Sequence, residues 1–303
     1  MTDSQLAKLD RLREILRQTG GCAIAYSGGV DSSFLLTVAR EVLGDRCLAV
    51  IATSSTYPRR ECDAAIDWVR RKGIPHVVIE SEELDIPGFR DNPPLRCYYC
   101  KRELFTKVRD AALARGIEHI ADGTNADDLC DHRPGLRAAQ ELGALRPLEE
   151  AGLTKADIRS LASEVYHLPM AHKPASACLA SRFPYGSTIT AAKLRQVEEM
   201  EDFLARLGFR VFRARHHGTI LRLEIGLAEM EFFLSAEFRE ACVRFAKGLG
   251  FTYVTLDLEG YRTGSMNETL APSESAIPTG DGSQACEEGS YPALSPLTRE
   301  PSP

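Results

Sequence analysis

The stretch Cys22-Ala23-Ile24-Ala25-Tyr26-Ser27-Gly28-Gly29-Val30-Asp31-Ser32 decides the fold. A short apolar strand runs into a turn with two glycines, and a helix-like run opens at Ser33. Glycines without a Cβ let backbone N–H groups come close to an anion. The N–H groups and dipole at a helix start then favour negative charge. The hydroxyls of Ser27 and Ser32 add donors, and Asp31 can orient a metal ion or cap the helix. No Gly-Lys-Ser/Thr follows, so the Walker A spacing is missing, as is Gly-x-Gly-x-x-Gly. A capped strand-to-helix turn that binds nothing would use the same residue types.

Outward from this stretch, strands and helices alternate. Leu6, Leu9, Leu12, Ile15 and Leu16 recur at helical spacing and predict an amphipathic helix over 4–18. Strand-like runs follow at 22–26, 46–52, 76–80 and 118–122, separated by helical patterns at 32–43, 58–72 and 101–115. Pro58 suits a first helical turn. The alternation predicts an α/β domain with a parallel sheet covered on both faces, whose ligands bind beyond the carboxyl ends of the strands. Thr53-Ser54-Ser55-Thr56 and Asp122-Gly123-Thr124-Asn125-Ala126-Asp127-Asp128 each follow a predicted strand, so they should share one rim with Ser27–Ser32.

Residues 134–165 read as helical with a short strand near 145–148, and 166–189 as an irregular polar loop. From 190 the pattern becomes helix 190–207, strands 210–215 and 219–225, helix 227–248 and strand 251–257, which predicts a smaller α+β domain. The expected organisation is a domain over 1–187, a second over 188–267, and a tail over 268–303. The tail is too rich in Ser, Pro, Glu, Thr and Gly to order itself.

The 303 residues hold 44% hydrophobic and 26% charged side chains, ordinary for a globular chain. No apolar run approaches the roughly 20 residues of a membrane span, and no export signal opens the chain. A cytoplasmic protein without a membrane partner is expected. The net charge of −6 argues against a large nucleic-acid footprint. Nine cysteines, an odd number, in such a chain are not a disulfide framework. Cys22, Cys47, Cys62 and Cys242 fall in apolar or amphipathic runs and read as small hydrophobes.

Other cysteines stand in more telling company. Arg96-Cys97-Tyr98-Tyr99-Cys100-Lys101 is a Cys-x-x-Cys behind Asn92-Pro93-Pro94, a spacing shared by redox pairs, half zinc sites and iron–sulfur ligands. Lys173-Pro174-Ala175-Ser176-Ala177-Cys178-Leu179-Ala180-Ser181-Arg182-Phe183-Pro184-Tyr185-Gly186 surrounds Cys178 with small residues between Lys173 and Arg182, a setting that favours a thiolate. Arg213-Ala214-Arg215-His216-His217-Gly218 would point Arg213 and Arg215 to one side of a strand, suiting a phosphate or a solvated basic edge. Adjacent His216 and His217 face opposite ways, which suits structural roles better than metal ligation.

The hexapeptide Ser27–Ser32 resembles the PP-loop of the ATP pyrophosphatases, which split ATP between its α- and β-phosphates and adenylate an oxygen. Together with Arg96–Lys101, Gly123–Asp128, Cys178–Gly186, Arg213–Gly218 and the run Tyr253 to Asn267, containing Leu256-Asp257-Leu258-Glu259-Gly260-Tyr261-Arg262, it resembles the LarE-type ATP-dependent sulfur transferases over about residues 20–267. The resemblance implies synthesis of the nickel-pincer nucleotide cofactor. ATP with Mg²⁺ would adenylate a carboxylate of pyridinium-3,5-biscarboxylic acid mononucleotide, and a sulfur nucleophile would displace AMP to leave a thiocarboxylate. It implies that Ser27, Gly28, Gly29, Asp31 and Ser32 hold the pyrophosphate portion, with Thr53 and Ser54 at the adenosine. Gly123 would line the nucleotide rim, while Asp127 and Arg182 are candidates for metal or substrate contact near the reacting carboxylate, with Cys178, Asp31 and Arg182 expected to be catalytic. Arg213 and Arg215 would hold the substrate phosphate, with Glu224 on a nearby metal.

Two sulfur sources occur in that family: a lone cysteine at the position of Cys178 that becomes dehydroalanine, and three cysteines holding a four-iron four-sulfur cluster that carries an extra sulfide. Cys97, Cys100 and Cys178 match the three-cysteine form. The resemblance further implies a small-molecule nucleotide substrate and a homo-oligomer, in the family a hexamer. It names no sulfide donor. A PP-loop tRNA thiolase would combine the same features with an RNA-binding surface.

Overall fold

The computed structural model describes residues 2–130, 134–174, 177–262, 264, 265 and 268. Helix α1 (Asp3–Thr19) starts in a capping box from Thr2 and Gln5 and stops at Gly20 with positive φ. It leads into β1 (Cys22–Ala25), α2 (Val30–Leu43), β2 (Cys47–Thr53), α3 (Arg59–Arg71), β3 (His76–Glu80), α4 (Arg96–Leu113) and β4 (His119–Ala121). The four strands form a parallel sheet in the order β3-β2-β1-β4, as the alternation predicts.

Period-two alternation divides the strands between two cores. Cys22, Ile24, Cys47, Ala49 and Ile51 face α1, α2 and α3, around Leu12, Leu16, Phe34, Leu35 and Trp68. Ala23, Leu48 and Val50 face α4, around Phe105, Val108 and Ala112. Buried Cys22 and Cys47 thus behave as the small hydrophobes expected, and burial drives both thiols well up from their ordinary range. The segment expected as a strand near 145–148 shrinks to one bridge between Ala121 and Leu145. Beyond α5 (Pro134–Glu141), Pro147, which has no N–H to continue a ladder, opens the short helix α6 (Pro147–Glu150). Helix α7 (Lys155–Glu164) follows from a second capping box at Thr154 and Asp157.

Beyond the irregular 165–190 stretch, α8 (Ala191–Arg206), β5 (Phe212–His217), β6 (Ile220–Ile225), α9 (Leu227–Phe233), α10 (Ala236–Gly248) and β7 (Tyr253–Leu256) build the second unit. β5 and β6 are antiparallel and β7 joins β6 in parallel. The single helix expected over 227–248 is two. The chain turns at Leu234-Ser235 so that Phe232, Phe233 and Phe238 all reach Phe209. His216 is a core histidine, stacked on Phe183 and edge-on to Phe251.

This core also takes in Leu84, Phe89, Leu179, Ala180 and Phe183 from earlier in the chain, and Cys100 and Cys178 pack against it. No described helix is long and apolar enough to cross a membrane. The tail expected over 268–303 lies outside the described residues apart from Glu268.

Candidate active site

The loops after β1, β2, β3 and β4 meet at the carboxyl ends of their strands. Gly28 has φ +72, and a Cβ there would lie 3.0 Å from the Cβ of Ala65 on α3, so the turn requires glycine. A Cβ on Gly123 would come within 2.9 Å of the Ser32 backbone nitrogen. The loop after β4 therefore lies directly on the first turn of α2. Ser27 Oγ and Ser32 Oγ stand 3.1 Å apart, and no side chain caps α2.

Lysines absent from the loop itself arrive from α7 and the segment beyond it. Lys155 pairs through Nζ with Asp31, and its backbone N–H donates to Asp127 Oδ2 at 2.8 Å. The sequence-predicted Asp31 and Asp127 are thus joined by a residue that no local pattern marks. Asp31 Oδ1 is buried and accepts no hydrogen bond among the described residues. Burial raises the Asp31 carboxyl above its usual range, against the pull of Lys155. Lys173 reaches the Gly28 carbonyl at 3.3 Å and pairs with Glu61.

Cys97 lies on the first turn of α4 and Cys100 on the next, since the helix starts five residues earlier than its periodicity predicts. They stand three apart and so on one face. Cys178 precedes a 3-10 turn over Leu179–Arg182, fastened to the loop after β2 by Leu179 N–H donating to Thr56 O at 2.7 Å. The Cys100 thiol donates to Glu83 Oε1 at 3.8 Å, and Thr56 Oγ1 donates to Glu83 Oε2 at 3.1 Å. Thr56 in turn meets Ser54 Oγ at 2.9 Å. A hydroxyl–carboxylate chain therefore runs from the predicted adenosine loop to the cysteines. Thr53 Oγ1 is turned to Ile79 O.

Burial pushes the Cys97 thiol up, with Cys178 adding to it and Arg96 opposing. Burial pushes the Cys100 thiol well up too, reinforced by Glu83 and Cys178. The Tyr57 phenol, hydrogen-bonded to Cys100, is raised for the same reason and feels both Cys100 and Cys178. Cys97 and Cys100 each lie within electrostatic reach of Cys178. No group of three or more His, Cys, Asp or Glu among the described residues is arranged to hold a single metal ion.

Arg182 is 1% exposed. Its Nε and Nη2 donate to both oxygens of Glu201 at 2.8 and 2.9 Å, and its Nη1 donates to the carbonyls of Ala177 and Cys178. Burial alone would lower the guanidinium, but Glu201 outweighs it and the group is raised. Glu201 is correspondingly lowered by Arg182 against the effect of its own burial.

Arg215 makes the same kind of fork with Glu224 at 2.9 and 2.8 Å and donates through Nη1 to Ser181 O. Glu224 is fully buried and also accepts from Arg222 and Ser265. Arg213 lies over the Tyr261 ring at 4.9 Å, and burial and Arg182 pull its pKa down. Arg213 and Arg215 thus flank the Cys178 turn, remote in sequence and adjacent in space.

No family model matches the chain. Curated relatives do. An uncharacterised protein of Synechocystis sp. is 39% identical over 87% of this chain and 98% of its own length. The pyridinium-3,5-bisthiocarboxylic acid mononucleotide synthase of Lactiplantibacillus plantarum is 38% identical over 88% of this chain and 94% of its own. The chain belongs to the LarE-type sulfur transferase family. An archaeal relative, an uncharacterised protein of Methanocaldococcus jannaschii, is 29% identical over 85% of the chain. Subunits of GMP synthase match shorter stretches, such as 25% identity over 40% of the chain for that of Thermoplasma volcanium, in keeping with a PP-loop domain.

In this LarE-type chain, motif reading finds the loops and the cysteines but not Glu61, Glu83, Lys155 or Glu201. Each sits on an ordinary helix or loop pattern, and only the tertiary arrangement gives it a partner. A weak signal exists for Lys155, which directly follows the capping residue Thr154.

Two substitutions check this geometry. Gly28→Ala must adopt positive φ against Ala65, a strain of about 1–3 kcal/mol. ATP affinity measured by calorimetry should fall about tenfold or more, and an unchanged affinity would contradict the tight turn. Arg182→Met leaves Glu201 buried without its cation and should cost about 3–5 kcal/mol of unfolding free energy in urea titration.

Proposed function

We propose that this protein is an ATP-dependent sulfur transferase acting on pyridinium-3,5-biscarboxylic acid mononucleotide in nickel-pincer nucleotide synthesis, with AMP and pyrophosphate as co-products. The observation that carries this reading is the meeting of a tight glycine turn after β1 with cysteines tied by Glu83 and Thr56 to the neighbouring loop after β2. It agrees with the named activity of the Lactiplantibacillus relative.

In this reading the substrate carboxylate attacks the α-phosphorus of ATP, the bond to the β-phosphate breaks, and pyrophosphate leaves. Sulfur then attacks the acyl carbon and AMP leaves with the electron pair. Gly28, Gly29 and Gly123 allow backbone to approach the phosphates. Ser27 and Ser32 donate to them, and Thr53 and Ser54 line the adenosine. The unpartnered Asp31 Oδ1 fits Mg²⁺, which would neutralise charge on the leaving pyrophosphate; Asp127 stands by through Lys155. Arg213 would face the substrate phosphate, while Arg215, expected there too, is buried with its nitrogens on Glu224 and Ser181 O and supports the strand from behind. Arg182 sets the backbone of Cys178, and Glu224 holds the arginines, offering a metal only what Arg215 and Arg222 leave.

Cys97, Cys100 and Cys178 suit a four-iron four-sulfur cluster. Each thiolate in such a cluster binds a different iron, so the sulfurs need to surround a volume and not a single ion. Three thiolates leave one iron open to an added sulfide. The same reading places the protein in the cytoplasm as a homo-oligomer.

Anaerobic reconstitution tests it. A brown protein with about four irons per chain is expected. It should form AMP and pyrophosphate with the dicarboxylate nucleotide, and its intact mass after turnover should be unchanged. A colourless, iron-free chain that loses the elements of hydrogen sulfide at Cys178 would establish the sacrificial route.

A further inference from the structure

The PP-loop carries no lysine of its own, yet a lysine from more than 140 residues away rests on it. Lys173 Nζ lies 3.3 Å from the Gly28 carbonyl and is paired with the carboxylate of Glu61, in the first turn of α3. The backbone that presents it is fixed. Lys173 N–H donates to Met170 O, and Arg159 donates to the carbonyls of Ala171 and Lys173 at 2.9 and 3.0 Å. The partner helix is equally close, since a Cβ on Gly28 would stand 3.0 Å from Ala65 and 3.7 Å from the Glu61 carbonyl. Both side chains are partly open to solvent, at 27% and 19% of their surface. A pair so exposed adds little to stability. Lys155 is already committed to the loop's own Asp31.

We infer that Lys173 is the phosphate-binding cation that the loop lacks, and that Glu61 occupies the place of a phosphate oxygen on Lys173 until ATP arrives. The inference rests on the nucleotide reading of the loop and adds to it an exchange of partners. An ammonium on a flexible four-carbon stem can swing between two anions while its backbone stays fixed. The β- and γ-phosphates bring more negative charge than one carboxylate and displace it. Glu61 is then an internal competitor, which sets how tightly the empty loop takes up ATP.

Calorimetric titration of the full chain with MgATP and with AMP tests the exchange. Lys173→Gln should weaken MgATP binding about tenfold or more, while Lys173→Arg, which keeps the charge, should largely restore it. Glu61→Gln should tighten MgATP binding about threefold or more, and the gain should vanish when Lys173→Gln is added. AMP, which lacks the β- and γ-phosphates, should bind all four variants as it binds the unaltered chain. Unchanged or weaker MgATP binding by Glu61→Gln would overturn the inference. So would a gain that survives in the double variant, or parallel changes with AMP. Failure of the unaltered chain to bind MgATP would instead remove the nucleotide reading beneath it.

Discussion

A guanidinium sealed from water must find acceptors for its N–H groups or cost several kcal/mol, and Arg182 finds them on separate pieces of the chain. Two of its nitrogens face Glu201 on α8, and the third holds the carbonyls of Ala177 and Cys178. Glu201 Oε1 also accepts the Ala214 N–H of β5, and the Glu201 carbonyl accepts Arg60 from α3. One ion pair therefore joins the Cys178 turn, the small sheet and the nucleotide-binding half. Arg215 adds a parallel tie by donating to Ser181 O while gripping Glu224. Two buried ion pairs thus hold the Cys178 turn, together with the bonds of its own loop.

The buried pairs also explain why a reactive-looking cysteine loop needs so much charge around it. Lys173 and Arg182 flank Cys178 in sequence and suggest cations meant for its sulfur. In space Lys173 is spent on Glu61 and the Gly28 carbonyl, and Arg182 on Glu201 and backbone carbonyls. Their influence on the sulfur is chiefly positional. Opposite them the Ser54–Thr56–Glu83–Cys100 chain gives the cysteine corner an acceptor-rich wall.

Much of this architecture is legible from the residues alone. Cys22–Ala25 and Cys47–Thr53 are apolar on both sides because helices cover both faces, so their position in a parallel sheet follows from composition. The loops that follow strands converge because parallel strands end on one side. Gly28, Gly123, Cys97, Cys100 and Cys178 are visible because glycine and cysteine are chosen for specific reasons. Glu61, Glu83 and Glu201 are not visible, since a glutamate on a helix or polar loop looks solvated until its partner is located. The break at Leu234-Ser235 escapes too: no proline or glycine marks it, and only the cluster around Phe209 demands it.

The second core, finally, bears on how far the molecule is modular. Leu84 and Phe89 leave the nucleotide-binding half to lie among the side chains of α8, β5 and α10, and Leu179 and Phe183 do the same from the other side of Cys178. The segments that bring Cys100 and Cys178 to the rim thus have their apolar footing in the later part of the chain. Severing the polypeptide before α8 would leave the glycine loop its own sheet while removing the apolar floor beneath Cys100 and Cys178. The glycine loop and the cysteine corner are separate in sequence but share a foundation as matter.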